Sequence, residues 1–307
     1  MTSILHEILE RSDFSPRTKA KYTLVIDRWL TFAGRNPSEW TRDRVQEWYD
    51  SLVASGIKTQ SANVYVASLR YVSRWYATRA NDPSLDFALV QTRRGRDIED
   101  VAPRALTQQE IIALLGTCAN APIDRRDRTL MVVGLETGMR RMSLEAMTFE
   151  CISEGAPYPY ARVPIKGAGG RGRFDVPLSN LALFVLHDWM AWLREHKHKR
   201  GALFVKLRGG STPDGAMTTT ALNNVFMHRA KAAGIDHVHP HLLRHTFVTL
   251  RTIAGLSMFD IASITGHKVP GMGAAAHYVD VRAIVDKALS ATPPWLDALV
   301  REQLDSQ

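Results

Sequence analysis

Six residues, running from the middle of the chain to near its end, are of the types that phosphate chemistry uses: Arg140, Lys166, His241, Arg244, His267 and Tyr278. Covalent attack on a phosphodiester needs a nucleophile, cationic donors for the charge growing on the two non-bridging oxygens, and a proton for the leaving oxygen. Arginine offers a fixed, always charged fork that meets two phosphate oxygens at once. An imidazole accepts or relays a proton near neutral pH. A tyrosine hydroxyl, with an ordinary pKa of about 10, attacks only when cationic neighbours and a base assist it. No metal-ligand cluster accompanies these residues, so the chemistry they suggest uses no metal and no cofactor.

Their local contexts are Thr137-Gly-Met-Arg140, His241-Leu-Leu-Arg244-His245, and Gly266-His267 following Ile261-Ala-Ser-Ile-Thr265, with Tyr278 last. In this order they resemble the tyrosine recombinases of the phage-integrase family, which cut and rejoin DNA through a 3′-phosphotyrosine. The resemblance covers nearly the whole chain and is most specific in its C-terminal two thirds. It implies that Arg140 and Arg244 clamp the phosphate, that His241 handles the tyrosine proton, and that His267 donates to a phosphate oxygen. It further implies that Lys166 protonates the leaving oxygen, with Arg171 and Arg173 as alternates, and that Tyr278 is the nucleophile. Its implied partners are a double-stranded DNA site, three further copies of the chain in a synaptic tetramer, and accessory DNA-bending or directionality factors.

The sequence also departs from the family pattern. The interval from His267 to Tyr278 is longer than usual, Ser143 stands where an acidic residue commonly follows the first arginine, and Leu242 stands where one commonly follows the histidine. A type IB topoisomerase uses the same residue types, and a DNA-binding or architectural relative without activity is a further alternative. Integration, excision and resolution all fit the family.

The elements that must position these residues are mostly helical. Ser15 before Pro16 opens a helix carrying Tyr22, Ile26, Trp29 and Leu30. A second helix follows Thr41, with Val45, Trp48, Tyr49 and Leu52 inward, and Gly56 stops it. A third, from about Thr59, carries Ala62, Tyr65, Val66, Leu69, Val72 and Trp75. These helices resemble the family's core-binding domain, expected over residues 1–90. Candidate DNA contacts there are Arg17, Lys19, Lys21, Lys58, Thr59 and Gln60, together with Ser61 and Asn63, at helix starts where free backbone N–H groups also meet phosphates. Residues 91–104 read as a linker whose Arg93, Arg94, Arg96 and Arg104 could cross a phosphate backbone.

The catalytic domain is expected over residues 105–307, opening with a capping box from Thr107 to Glu110. Residues 160–165 and 173–176 read as strands around a glycine-rich tip. Helices follow, broken near Gly201, at residues 208–213 and at Gly234. Pro240 starts the helix on which His241 and Arg244 share a face. Arg141 reads as a surface or DNA-backbone residue, and Arg171, Arg173 and His245 join the DNA-contact candidates. After Tyr278, residues 281–289 form a helix and Pro293-Pro294 precedes a short apolar one. That tail, from about residue 290, docks either on a neighbouring protomer, as the family implies, or on its own domain. The expected fold is mainly α with a small antiparallel β-sheet.

Composition agrees with a polyanion partner. The 307 residues include 39 Lys and Arg against 31 Asp and Glu, a net charge of +8, so the long-range field attracts nucleic acid. No stretch approaches the roughly 20 apolar residues of a membrane span, and the first residues lack a signal peptide's basic start and apolar core. No membrane partner and a cytoplasmic, nucleoid-associated location are therefore expected. Cys118 and Cys151 lack metal or disulfide spacing and read as small buried residues.

Overall fold

A computed structural model of the chain describes residues 4–10, 12, 14–83, 86–87, 104–164, 172–236, 238–266 and 281–305. The chain forms two compact units, Met1–Ala102 and Pro103–Gln307.

Among the described residues the first unit holds the α-helices α1 (Ile4–Glu10), α2 (Pro16–Ala33), α3 (Arg42–Ala54) and α4 (Thr59–Ala80). Local chemistry sets their starts: the Ser15 hydroxyl accepts from the Thr18 amide and the Thr41 hydroxyl from the Arg44 amide, each at 3.2 Å. Their apolar faces meet around Trp29, which lies edge-on to Trp48 at 5.4 Å and to Phe87 at 5.9 Å. These aromatics are core, whereas Lys21 of α2 and Lys58 and Gln60 at the start of α4 are exposed. The α1 helix was not evident from sequence, because seven residues are too few to display a helical period.

In the second unit α5 (Gln108–Gly116) begins with the expected capping box: the Thr107 hydroxyl accepts from the Glu110 amide, and the Glu110 carboxylate from the Thr107 amide. Next come α6 (Pro122–Thr137), α7 (Arg141–Glu145), and the strands β1 (Ile152–Ser153), β2 (Tyr160–Pro164) and β3 (Arg173–Pro177), which form one antiparallel sheet. After α8 (Asn180–Glu195), β4 (Val205–Arg208) and β5 (Thr212–Ala216) make a second antiparallel pair. The chain continues through α9 (Thr219–Ala232), α10 (Pro240–Ile253), α11 (Met258–Thr265), α12 (Val281–Leu289) and α13 (Pro294–Asp305).

The sequence suggests only a break in helix where β4 and β5 form. Four residues give too short an alternation to read, and their place depends on a distant contact: the Val205 carbonyl accepts from the Arg126 guanidinium at 3.1 Å. Gly209 and Gly210, at φ of +60° and +82°, make the turn between them. Cys118 is buried as expected, whereas Cys151 is half-buried and its sulfur accepts from the Thr148 amide.

The α6 helix is buried nearly all round, so it is the axis of this unit. It runs antiparallel to α8, with contacts from Arg125 to Asp188, Thr129 to Val185 and Glu136 to Ser179. Leu296 and Val300 of α13 are fully buried in the same core, and Arg301 lies over the Phe184 ring at 4.6 Å. The tail therefore docks on its own unit. Among the described residues no helix is long and apolar enough to cross a membrane.

Charges crowd the N-terminal end of α6. The Arg229 guanidinium bonds Asp124 at 2.6 Å and Asp127 at 2.7 Å, and Asp127 also holds Arg126 at 2.7 Å. The carboxylates suit the positive helix end, and the arginines tie α9 and β4 to it. Removing one partner of such a group strands the others in a low-dielectric interior. Asp127→Ala is expected to destabilise this unit by about 3–5 kcal/mol; a chemical-denaturation midpoint equal to that of the parent protein would show that the network contributes nothing.

Candidate active site

The site forms where α6 stops. Gly138 caps α6 in the left-handed conformation, φ +57°, and a Cβ there would lie 2.9 Å from Cγ of Phe247 on α10. Only glycine permits both the turn and that approach. The turn delivers Arg140 as the N-cap of α7, half-buried, with its carbonyl accepting from the amides of Ser143 and Leu144.

Two tethers fix α7. The Ser143 hydroxyl donates to the Pro164 carbonyl at the end of β2, 3.0 Å away, and the Thr219 hydroxyl of α9 donates to the Glu145 carboxylate. Ser143, at the position where the family carries an acid, thus ties Arg140's helix to the strand that precedes Lys166. Leu242, the other non-acidic position, is buried in the core.

On α10, Pro240 takes the first helical position and His239 caps it, its Nδ1 accepting from the Leu242 amide at 3.1 Å. Arg244, one turn inside, is only 3% exposed, and its Nη1 donates to the Gly138 carbonyl. Arg244 is therefore tied to the turn that carries Arg140, more than a hundred residues away in sequence, through the carbonyl two residues before it. Burial first, and then the charge of Arg140, push the Arg244 pKa down to about 10. It stays cationic at neutral pH in a place that favours an anion between the two guanidinia.

His241 lies at the solvent edge of the same helix, its ring 4.4 Å from that of His245 and 6.4 Å from that of His239. Burial, followed by His245, His239, Arg244 and Arg140, lowers its pKa below the ordinary 6.5. The imidazole is therefore neutral at neutral pH and available as a proton acceptor. His239 and Phe247 are contributors the sequence did not single out, although both flank the histidine-arginine motif by a few residues.

Lys166, Arg171, His267 and Tyr278 lie outside the described residues, as do Arg93, Arg94 and Arg96. Their flanks are described. Pro164 and Arg173 are paired across β2 and β3, at either end of the segment with Lys166 and Arg171. Gly266 ends α11 at φ +64° with the Phe174 ring of β3 3.3 Å from where a Cβ would stand, so the chain entering His267 sits against that strand.

The DNA-contact candidates are distributed differently. Lys21, Lys58, Gln60 and Arg173 are exposed, Thr59 and His245 are half-buried, and the Arg17 side chain lies outside the described residues. Lys19 Nζ donates to the Glu10 carbonyl, Arg104 pairs with Glu110 at 2.6 Å, and Arg141 donates to Asn223 at 3.2 Å. Arg141 is thus drawn toward α9. Among the described residues no group of three or more His, Cys, Asp or Glu side chains is arranged to hold a metal ion.

The Phage integrase family model matches residues 104–283, more than half of the chain, and the chain belongs to that family. It is 26% identical over 192 residues to the tyrosine recombinase XerC of Actinobacillus succinogenes, covering 62% of this chain and 62% of that relative's length. The chain thus spans less than two thirds of that curated relative. Among solved structures, the Tn1549 transposon integrase in complex with transposon right end DNA superposes with a TM-score of 0.66 at 16% identity, covering 99% of both chains. A lambda integrase dimer bound to a COC′ core site superposes at 0.63 and 18% identity, covering 87% of this chain and 96% of that one. The fold, mainly helical with small antiparallel sheets, is that of these integrases.

Gly138→Ala is expected to cost roughly 1–3 kcal/mol through backbone strain alone, more where Phe247 cannot yield. Thermal unfolding checks this, and an unchanged midpoint would mean that Phe247 and the turn adjust freely.

Proposed function

We propose that this protein is a site-specific DNA recombinase that cuts and rejoins duplex DNA through a 3′-phosphotyrosine. The observation that carries this reading is the convergence of Arg140, Arg244 and a neutral His241 at the end of α6, with Arg244 bonded to the Gly138 carbonyl. Membership of the integrase family supports it.

In this reading Arg140 and Arg244 hold the scissile phosphate by its two non-bridging oxygens. They stabilise the charge that builds there as Tyr278 attacks phosphorus. The tyrosine proton passes to His241, the bond from phosphorus to the 5′-oxygen breaks, and Lys166 gives that oxygen its proton. His267 donates to the phosphate. The phosphotyrosine conserves the bond energy, so religation by the 5′-hydroxyl of another strand needs no nucleotide hydrolysis. In the same reading the helical first unit contacts the DNA as well, residues 91–104 are the linker, and four copies assemble on paired sites.

The test is incubation with supercoiled plasmid carrying the DNA that flanks the gene, followed by a search for SDS-resistant protein–DNA adducts. An adduct at one discrete site, absent from Tyr278→Phe, is the expected result. Adducts at many sites with plasmid relaxation would instead indicate a type IB topoisomerase, and binding without adduct on nicked suicide substrates an inactive architectural relative.

Arg244→Lys replaces the fork with a point charge and is expected to slow adduct formation by about 10²–10³-fold; a change under threefold would remove Arg244 from the phosphate. His241 works as a base only when neutral, and its pKa is lowered. Cleavage should therefore persist below pH 6.5 and fall only as the pH drops through the lowered value. An acid limb centred above 6.5 in the single-turnover rate would contradict this assignment.

A further inference from the structure

Beneath the arginine cluster lies a second charged pair that the chemistry above does not use. Arg251 on α10 and Glu136 on α6 form a 3.1 Å ion pair whose side chains are 1% and 0% exposed. Arg251 stands two turns after Arg244 on one helix face, and its guanidinium lies over the Phe247 ring at 5.0 Å. Phe247 is the ring packed against Gly138, whose carbonyl holds Arg244. On its other side the pair reaches the chain beyond α12: Arg251 Nη1 donates to the Ala291 carbonyl at 2.9 Å, and the Thr292 hydroxyl donates to Glu136 Oε2. The α12 helix itself packs through Ile284, Val285 and Ala288 into a small core shared with Phe247 and α11.

We propose that the Glu136–Arg251 pair is a positioning device for strand cleavage, fixing the helix that follows Tyr278 in register with Arg140 and Arg244. The inference rests on Tyr278 being the nucleophile. A buried ion pair is a poor source of net stability, because desolvation offsets the attraction and an apolar pair of similar volume does as well or better. What this one supplies is direction. It joins the end of α6, the last turn of α10 and the segment after α12 at one point, and reaction rates are sensitive to misplacements of about 1 Å in that relation. Neither residue touches the reacting atoms; both act through Phe247, Gly138 and Thr292.

The test uses the full chain and a nicked suicide duplex carrying the site of the wild-type adduct. The first variant, Glu136→Leu with Arg251→Met, removes both charges. It is expected to unfold at or above the wild-type midpoint and to bind the duplex with unchanged Kd. Its single-turnover adduct formation at saturating DNA should be slower by about tenfold to a hundredfold. The second comparison needs no core repacking: Thr292→Val should slow adduct formation severalfold, and Thr292→Ser should restore it. Wild-type rates in the folded double variant overturn the proposal. If that variant fails to fold, the Thr292 pair decides, and a wild-type rate for Thr292→Val overturns it. Failure of the nucleophile reading looks different: the wild type forms no adduct, or Tyr278→Phe still does.

Discussion

Two guanidinium groups brought close to one another, those of Arg140 and Arg244, set the terms for the rest of the second unit. Left alone they repel, and burial of Arg244 worsens the cost, as its depressed pKa records. A backbone dipole, the Gly138 carbonyl that accepts from Arg244, offsets part of that cost. A carboxylate would neutralise the site and compete with a phosphate. A carbonyl orients the arginine and leaves its charge for an incoming anion.

Much of the surrounding architecture follows from keeping that arrangement in place. The all-round burial of α6 makes its end a rigid reference point, and the salt-linked cluster at its other end ties α9 and β4 to the same axis. Arg140 arrives by a glycine turn, Arg244 by a proline-started helix, and Phe247 packs that helix against the glycine. Acids hold structural arginines at both ends of α6: Asp124 and Asp127 at its start, and Glu136, paired with Arg251, at its end.

The fold was legible wherever a helix carried both its cap and its apolar period. Ser15, Thr41, Thr107 and Pro240 each mark a start that forms as read. The β4–β5 pair and α1 were not legible, because short elements are held by contacts distant in sequence. In the site, the histidine-arginine motif could be read because three residues are one helical turn. Its meeting with Arg140 could be supposed only by family resemblance, since no local pattern reports a contact spanning more than a hundred positions. Glu136 and Arg251 had no signal at all: a buried charge looks, in sequence, like any surface charge. The tail's sequence left two partners open, and in the structure its Leu296 and Val300 are buried in their own unit.

Ser143 carries a consequence of a different kind. Its hydroxyl holds α7 to β2 through a neutral bond. Ionic strength weakens attraction between a basic protein and a polyanion steeply, yet screening has little purchase on a hydroxyl donating to a carbonyl. The tie from α7 to β2 is thereby little affected by salt, whereas the long-range field of the +8 chain is screened by it.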